Sequence, residues 1–263
     1  MSRFRLNWFV EYDDNGRPFR RREQPTAAPV QTIRAITLDL DDTLWPIRPV
    51  LERAERCLRE WLDERYPNIM PRFPPAAIEA LRRRIVIQHR AHAHDFKYLR
   101  QETLRQMARV AGYDDFDLDG AFGAFDAARN EVELFPDVRP ALLALRRHYR
   151  LVAVTNGSAS LERIGIDDLF DGYVNARLAG AAKPDRPIFD AALRATGTAP
   201  AETLHIGDQP LSDVQGARSA GIDAVWINRE NREWPEELPA PPATVRDLHE
   251  LARLLDDARG AVA

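Results

Sequence analysis

Three clusters of polar residues interrupt apolar stretches of the chain. Asp39-Leu40-Asp41-Asp42-Thr43 follows Ala35-Ile36-Thr37-Leu38, and Thr155-Asn156-Gly157 follows Leu151-Val152-Ala153-Val154. Gly207-Asp208 follows Leu204-His205-Ile206, with Asp213 five residues further on. Lys183 lies in a loop ahead of a helical stretch whose first turn holds Pro187. Carboxylates brought close together repel unless a cation or a proton intervenes. Asp39, Asp41 and Asp208 would make an oxygen-rich site suited to a hard divalent ion such as Mg²⁺. Lys183 and the hydroxyl and amide donors of Thr155 and Asn156 suit anionic oxygens. A metal, a cation and donors around a free carboxylate make a phosphoryl-transfer site. One aspartate at a strand end is ordinarily a solvated cap or turn; the reading rests on all the segments together, in this order.

These side chains need a scaffold that brings distant segments to one edge. Ligands of open parallel sheets bind at the carboxyl ends of the strands, and each polar cluster directly follows a strand-like run. Runs at 35–40, 151–155, 172–175, 204–206 and 224–227 alternate with helical stretches near 138–148, 187–196, 210–220 and 245–258. Such alternation predicts an α/β fold, a parallel sheet with helices on both faces. Between 46 and 134 the pattern is helical throughout: 50–65, 76–93, 97–111 (closed by Gly112) and 119–132. Pro67, Pro71, Pro74 and Pro75 separate the first two of these. The chain therefore divides into an extension (1–34), a core (35–45 and 135–263) and a helical insert (46–134). In the extension, Asn15-Gly16 between strand-like runs suggests a hairpin, with an unstructured tail as the alternative.

The segments Asp39-Leu-Asp-Asp-Thr-Leu44, Thr155-Asn-Gly157, Lys183-Pro184 and Gly207-Asp-Gln-Pro-Leu-Ser-Asp213 together resemble the four motifs of the haloacid dehalogenase superfamily. The likeness spans roughly residues 34–228. It implies a Rossmann-like core with a helical cap inserted after the first motif, in agreement with the pattern. It also implies roles. Asp39 would be the nucleophile, forming an aspartyl-phosphate. Asp41 would be general acid and base. Thr155 and Asn156 would bind the phosphoryl group, and Lys183 would neutralise charge between nucleophile and phosphate. Mg²⁺ would sit on Asp39, Asp208 and the Asp41 backbone carbonyl. Asp213 would orient water or Lys183, and Thr43 would hold the loop. The dehalogenases of the superfamily lack an aspartate at the position of Asp41, because a halide leaves without a proton. The chain therefore resembles a phosphatase; a phosphomutase, a 2-haloacid dehalogenase and a non-catalytic phospho-ligand-binding protein are the alternatives.

Two stretches, Asp39 to Val50 and His205-Ile-Gly-Asp208 with Asp213-Val-Gln-Gly-Ala217, Ala220-Gly221 and Trp226-Ile227, resemble one branch in particular. It comprises bacterial flavin mononucleotide phosphatases, which also act on phosphorylated ribitylaminouracil. Beside the first polar cluster, Trp45 could stack on a flat ring or pack at the hinge. Arg48 could meet a substrate anion or make a hinge ion pair. In the insert, His94, Lys97 and Arg100, around a helix start at Asp95, could face substrate or lie on an ordinary charged surface. His89, His92 and His94 do not share a helix face, so zinc is not expected.

Composition bounds the partners. The 263 residues carry a formal charge of −4, which argues against nucleic acid or an anionic membrane as the main partner. No run approaches the ~18 apolar residues of a membrane span, and the first residues show no cleavable leader. The single cysteine, Cys57, sits on the apolar side of a helical pattern and reads as a buried thiol. With no disulfide framework, a cytoplasmic protein acting on a small phosphorylated metabolite is expected; the oligomeric state is open. Of 37 cationic residues only Lys97 and Lys183 are lysine, and Lys183 falls where a compact point charge is needed.

Overall fold

The structure is a computed structural model that describes residues 33–260. The hairpin expected in the extension lies outside the described residues. After β1 (Ala35–Leu38) the chain enters four helices: α1 (Ile47–Arg65), α2 (Pro75–Gln88), α3 (Phe96–Ala111) and α4 (Leu118–Arg129). It then runs α5 (Val138–Leu145), β2 (Arg150–Thr155), the single turn α6 (Leu161–Ile164), β3 (Gly172–Asn175), the single turn α7 (Ala176–Ala179) and α8 (Arg186–Thr196). β4 (Thr203–Gly207) leads through a wide turn, Pro210–Gln215, into α9 (Gly216–Ser219), β5 (Asp223–Ile227), β6 (Ala243–Val245) and α10 (Leu248–Gly260).

The six strands form one parallel sheet in the order β3-β2-β1-β4-β5-β6. Strand alternation sends successive side chains to opposite faces. On β2, Leu151 and Ala153 join the cluster under α5 and α10, while Val152 and Val154 join the one under α8 and α9. Both faces are covered, which is why these strands read as continuous apolar runs. Leu38 pairs with Ala153 on one side and Ile206 on the other, so β1, β2 and β4 end at one level.

The inserted helices have their own apolar cluster, built on Leu58, Leu62, Leu81, Leu104, Met107 and Phe125 among others. Where the chain leaves the sheet and where it returns, the two crossings are joined: Phe135 N–H donates to the Leu44 carbonyl at 2.9 Å. Among the described residues no helix is long and apolar enough to cross a membrane.

Several boundaries differ from the pattern. The 76–93 helix stops at Gln88 and gives way to a tight turn at Arg90–His92. The 119–132 helix stops at Arg129, where Asn130 turns its amide back to the Asp126 carbonyl. Residues 210–215 form a wide, π-type turn rather than an α-helix. β6 was not anticipated; three residues behind a proline-rich stretch carry too little pattern to register. Gly112 does close α3, at φ 87°. Cys57 is half-buried against the insert's cluster rather than fully enclosed.

Candidate active site

The sheet's geometry builds the site. Asp39 is the first residue past β1, and its N–H still donates to Ile206 at 2.9 Å. The chain then turns sharply: Thr43 and Leu44 N–H both return to the Leu40 carbonyl, and Asp42 takes a left-handed φ of 57°. The Asp42 carboxylate accepts from Ile47 N–H at 2.9 Å and so starts α1. Thr43 is buried; its carbonyl accepts from Arg229 Nε at 2.9 Å, and Arg229 is itself held by both oxygens of Asp137.

Lys183 is enclosed by acceptors. Its Nζ donates to Asp39 Oδ1 at 2.5 Å and to the Val154 carbonyl at 2.9 Å, and lies 2.7 Å from Asp213 Oδ1. Burial would lower the ammonium's pKa, but Asp213 and Asp39 override it and push the value above normal. Burial likewise works to raise Asp213, yet Lys183 and His205 hold it well below the usual carboxylate range. Asp39 goes the other way, raised by burial despite Lys183. His205 lies behind this group, fully buried, with Nδ1 2.8 Å from Thr37 Oγ1 and Nε2 3.3 Å from Asp213 Oδ1. Burial lowers its pKa, so it stands neutral. The Asn156 amide is committed at both ends to the Lys183 backbone, at 2.7 and 2.9 Å. Its side chain therefore anchors the lysine loop rather than pointing at a phosphoryl group. Thr155 is buried at the end of β2, its Oγ1 accepting from Gly157 N–H at 2.9 Å.

A cation fits among the acids. One carboxylate oxygen each from Asp39, Asp208 and Asp213 lie within 4.8 Å of one another. Burial and then Asp213 push the Asp208 carboxyl up to about 7, against the nearby Arg232. Lys183 takes Oδ1 of Asp39, while Gln209 and Arg232 take Oδ2 of Asp208. The other oxygen of each is the one available to a cation. All are hard donors of the kind Mg²⁺ prefers. Asp213 joins this grouping but is already engaged by Lys183. Gly207 is what allows the packing: a Cβ there would sit 2.3 Å from Asp213 Cγ.

Above the acids is a cavity of about 470 Å³. Asp39, Asp41, Thr155, Lys183 and Asp208 line its floor; Ile47, Leu51, Phe96, Phe122 and Phe125 of the insert line its walls. Lys97 and Arg100 both reach it. Lys97 sits 4.9 Å from the Phe122 ring centre and makes no ion pair among the described residues. Arg100 Cζ sits over the Phe125 ring, 3.6 Å from its centre, and the guanidinium bonds Glu55 at 2.9 Å. His94 lines a smaller neighbouring cavity of about 160 Å³. Two candidates fall elsewhere. Trp45 is 0% exposed within the sheet's cluster and donates its indole N–H to Asp41 at 3.0 Å, so it has no free face for a ring. Arg48 is 88% exposed and pairs with Glu52 one turn on. The histidines do not gather: His89 bonds Tyr98 Oη at 2.9 Å, and His92 stacks on the same ring.

Asp41 shares the floor, and burial raises its carboxyl pKa despite Arg129 beside it. Arg129, Arg229, Arg232 and His205 are the participants that sequence reasoning missed. A signal existed for two: Phe122, Phe125 and Arg129 share a helix face at i, i+3, i+7, putting a cation on the apolar side. His205 stood in plain view as a polar residue inside an apolar strand run.

A buried cation, a carboxylate on the cavity floor, a nearby carboxyl raised toward protonation and a cation position suit attack on an electrophilic centre bearing anionic oxygens. The comparisons agree. Residues 33–221 match the family model described as haloacid dehalogenase-like hydrolase. The chain is 31% identical over 207 residues to the 5-amino-6-(5-phospho-D-ribitylamino)uracil phosphatase YigB of Escherichia coli, covering 77% of this chain and 87% of the relative. It is 32% identical over 256 residues to a phosphoserine phosphatase of Thermus thermophilus, covering 83% and 98%. Among solved structures, a 2-haloacid dehalogenase from Pseudomonas syringae superposes with a TM-score of 0.81 at 34% identity, covering 86% of this chain and all of that one. With the sheet order, the strand-end acids and a family model across most of its length, this chain belongs to the haloacid dehalogenase-like hydrolases.

Proposed function

We propose that the chain is a Mg²⁺-dependent phosphatase that removes phosphate from a small phosphorylated metabolite, with the insert of 46–134 as its cap. An oxygen of Asp39 attacks phosphorus as the ester bond breaks, leaving an aspartyl-phosphate. Asp41 gives its proton to the departing ester oxygen, so the product leaves as an alcohol. Asp41, now ionised, takes a proton from water as that water attacks phosphorus, which frees Asp39 and releases inorganic phosphate. Lys183 offsets the charge of nucleophile and phosphoryl oxygens. Asp39, Asp208 and the Asp41 carbonyl would hold the metal, which when bound draws negative charge off the phosphoryl group. Thr155 and the backbone of its loop receive the remaining oxygens.

The observation that carries this reading is Asp41: a carboxyl on the cavity floor, two residues past the nucleophile and raised by burial toward the protonated form. An ester oxygen needs that proton and a halide does not. The likeness to a 2-haloacid dehalogenase keeps halide displacement as the second reading.

The cavity also speaks to substrate. Its aromatic and aliphatic walls and Lys97, which makes no ion pair among the described residues, suit a flat, acceptor-bearing ring on a phosphorylated chain. Flavin mononucleotide and phosphorylated ribitylaminouracil have that form, and the likeness to YigB supports the same choice. We place such an enzyme in the cytoplasm, in keeping with a sequence that carries a single cysteine.

The test is phosphate release from a panel of flavin mononucleotide, sugar phosphates, nucleotides and phosphoserine, with Mg²⁺ and with chelator. Mg²⁺-dependent release, greatest on a ring-bearing phosphate, is expected. Transfer of phosphate to a second sugar position would make it a mutase. Metal-independent halide release from 2-haloacids, with no phosphate release, would overturn the reading.

A further inference from the structure

Arg129 stands out as a buried cation that the proposed reaction does not use. It is the last residue of α4, its side chain is 4% exposed, and its one carboxylate partner among the described residues is Asp41. A buried guanidinium is costly unless paired and fully hydrogen-bonded. Arg129 is not: Nη2 alone contacts both Asp41 oxygens, each at 2.7 Å, and Nη1 is buried with no partner among the described residues. The usual fork-to-fork pairing would satisfy both nitrogens. Its placement is therefore set by the helix that carries it rather than by the best available pairing.

That helix end is tied to the core. Asn130 Oδ1 accepts from Ser160 N–H at 2.7 Å and Arg163 bridges to Asp126, both from the core, while Arg53 of α1 braces the same end through the carbonyls of Ala128 and Glu131. On its far side, Asp41 takes the Trp45 indole N–H. The loop after β2 closes over the pair: a Cβ on Gly157 would lie 3.0 Å from Asp41 Oδ2 and 3.3 Å from Arg129 Nη2. So Asp41 is held on three sides, by the hinge, by the loop at Gly157 and by the insert.

We infer that Arg129 is a positioning residue that aims the Asp41 carboxyl at the leaving oxygen, so that the acid is in place only when the end of α4 is seated on the core. This rests on the phosphatase reading above, and it assigns to the insert a part in proton delivery as well as in substrate contact.

The test separates esters by how much protonation their leaving oxygen needs. Turnover of p-nitrophenyl phosphate, phenyl phosphate and flavin mononucleotide is measured for the wild type, Arg129→Gln, Arg129→Lys and Gly157→Ala. A general acid contributes about 10²–10⁴-fold where it is needed. Arg129→Gln is expected to lower kcat on the alkyl ester by about 10²-fold and on p-nitrophenyl phosphate far less, with KM little changed. Arg129→Lys recovers part of the loss. Gly157→Ala, reaching the pair from the other side, shows the same preference for good leaving groups. In an Asp41→Asn background, Arg129→Gln adds nothing further. Equal losses on all three esters, or a change confined to KM, would overturn the inference by assigning Arg129 to fold or phosphate binding. A wild type that releases no phosphate from any of them would instead count against the phosphatase reading itself.

Discussion

Replacing Lys183 by methionine tests the electrostatics of the site without substrate. The ammonium is enclosed by Asp39 Oδ1, Asp213 Oδ1 and the Val154 carbonyl at 2.5–2.9 Å. Methionine is close in length, so packing changes little, but two buried carboxylates lose their cation. Removing one partner of a buried ion pair typically destabilises by about 3–5 kcal/mol. At about 2–4 °C per kcal/mol for a chain of this size, melting in chelator at pH 7 should fall by about 6–20 °C. The sign with pH follows from the directions of the shifts. In the wild type Asp213 is depressed, so its contribution is present above the ordinary carboxylate value and is lost as pH falls. In the variant burial loses its main opponent, leaving only His205 and the Gln209 N–H on Asp213; both carboxyls shift upward, and each costs stability as pH rises past about 4. The gap between the two proteins should therefore narrow from pH 7 toward pH 4.5. Differential scanning calorimetry at several pH values reads it. A gap below about 1 kcal/mol at pH 7, or one that widens on acidification, would refute the assignment of Lys183 as the counter-charge.

Other outcomes are equally checkable. Asp39→Asn should abolish phosphate release while leaving the fold intact by circular dichroism, since an amide cannot attack phosphorus. Chelation should remove activity and added Mg²⁺ should restore it, whereas an unchanged rate in chelator would remove the metal from the scheme. Gly207→Ala should cost about 1–3 kcal/mol in denaturant melts, because its Cβ would fall 2.3 Å from a buried Asp213 carbon. It should also lower kcat, since displacing Asp213 displaces Lys183. Lys97→Ala should raise KM for the preferred ring-bearing phosphate about tenfold while barely changing p-nitrophenyl phosphate turnover, as expected for a contact remote from the reacting bond.

The acids were legible because each follows an apolar run, and strand ends in a parallel sheet share one edge. Asp39, Thr155 and Asp208 need only that rule to be brought together. What could not be read were contacts set by how the insert lies on the core. Arg129 meets Asp41 from 88 positions away, and no local pattern marks that distance. Asn156 reads as a phosphate donor, and Trp45 as either a stacking ring or hinge packing; the structure gives the Asn156 amide to the Lys183 backbone, and for Trp45 it shows the packing, with the indole N–H on Asp41. In both, the side chain serves a neighbour in the site, a use that residue type alone does not reveal. Of the two readings of Arg48 the structure shows the ion pair, with Glu52 one turn on and the side chain in solvent.

The bond between Phe135 N–H and the Leu44 carbonyl closes the chain at the neck between sheet and insert. From the sheet's viewpoint everything between those residues is a loop whose ends are already pinned. Closure entropy grows slowly with length, by only about 0.6 kcal/mol per doubling. The insert also buries its own apolar cluster. The neck is therefore a graft point: helices of another length or sequence should be exchangeable there with little penalty to the sheet. The constraint on such a transplant is not the join but one guanidinium, since a donor helix must still deliver a cation to Asp41.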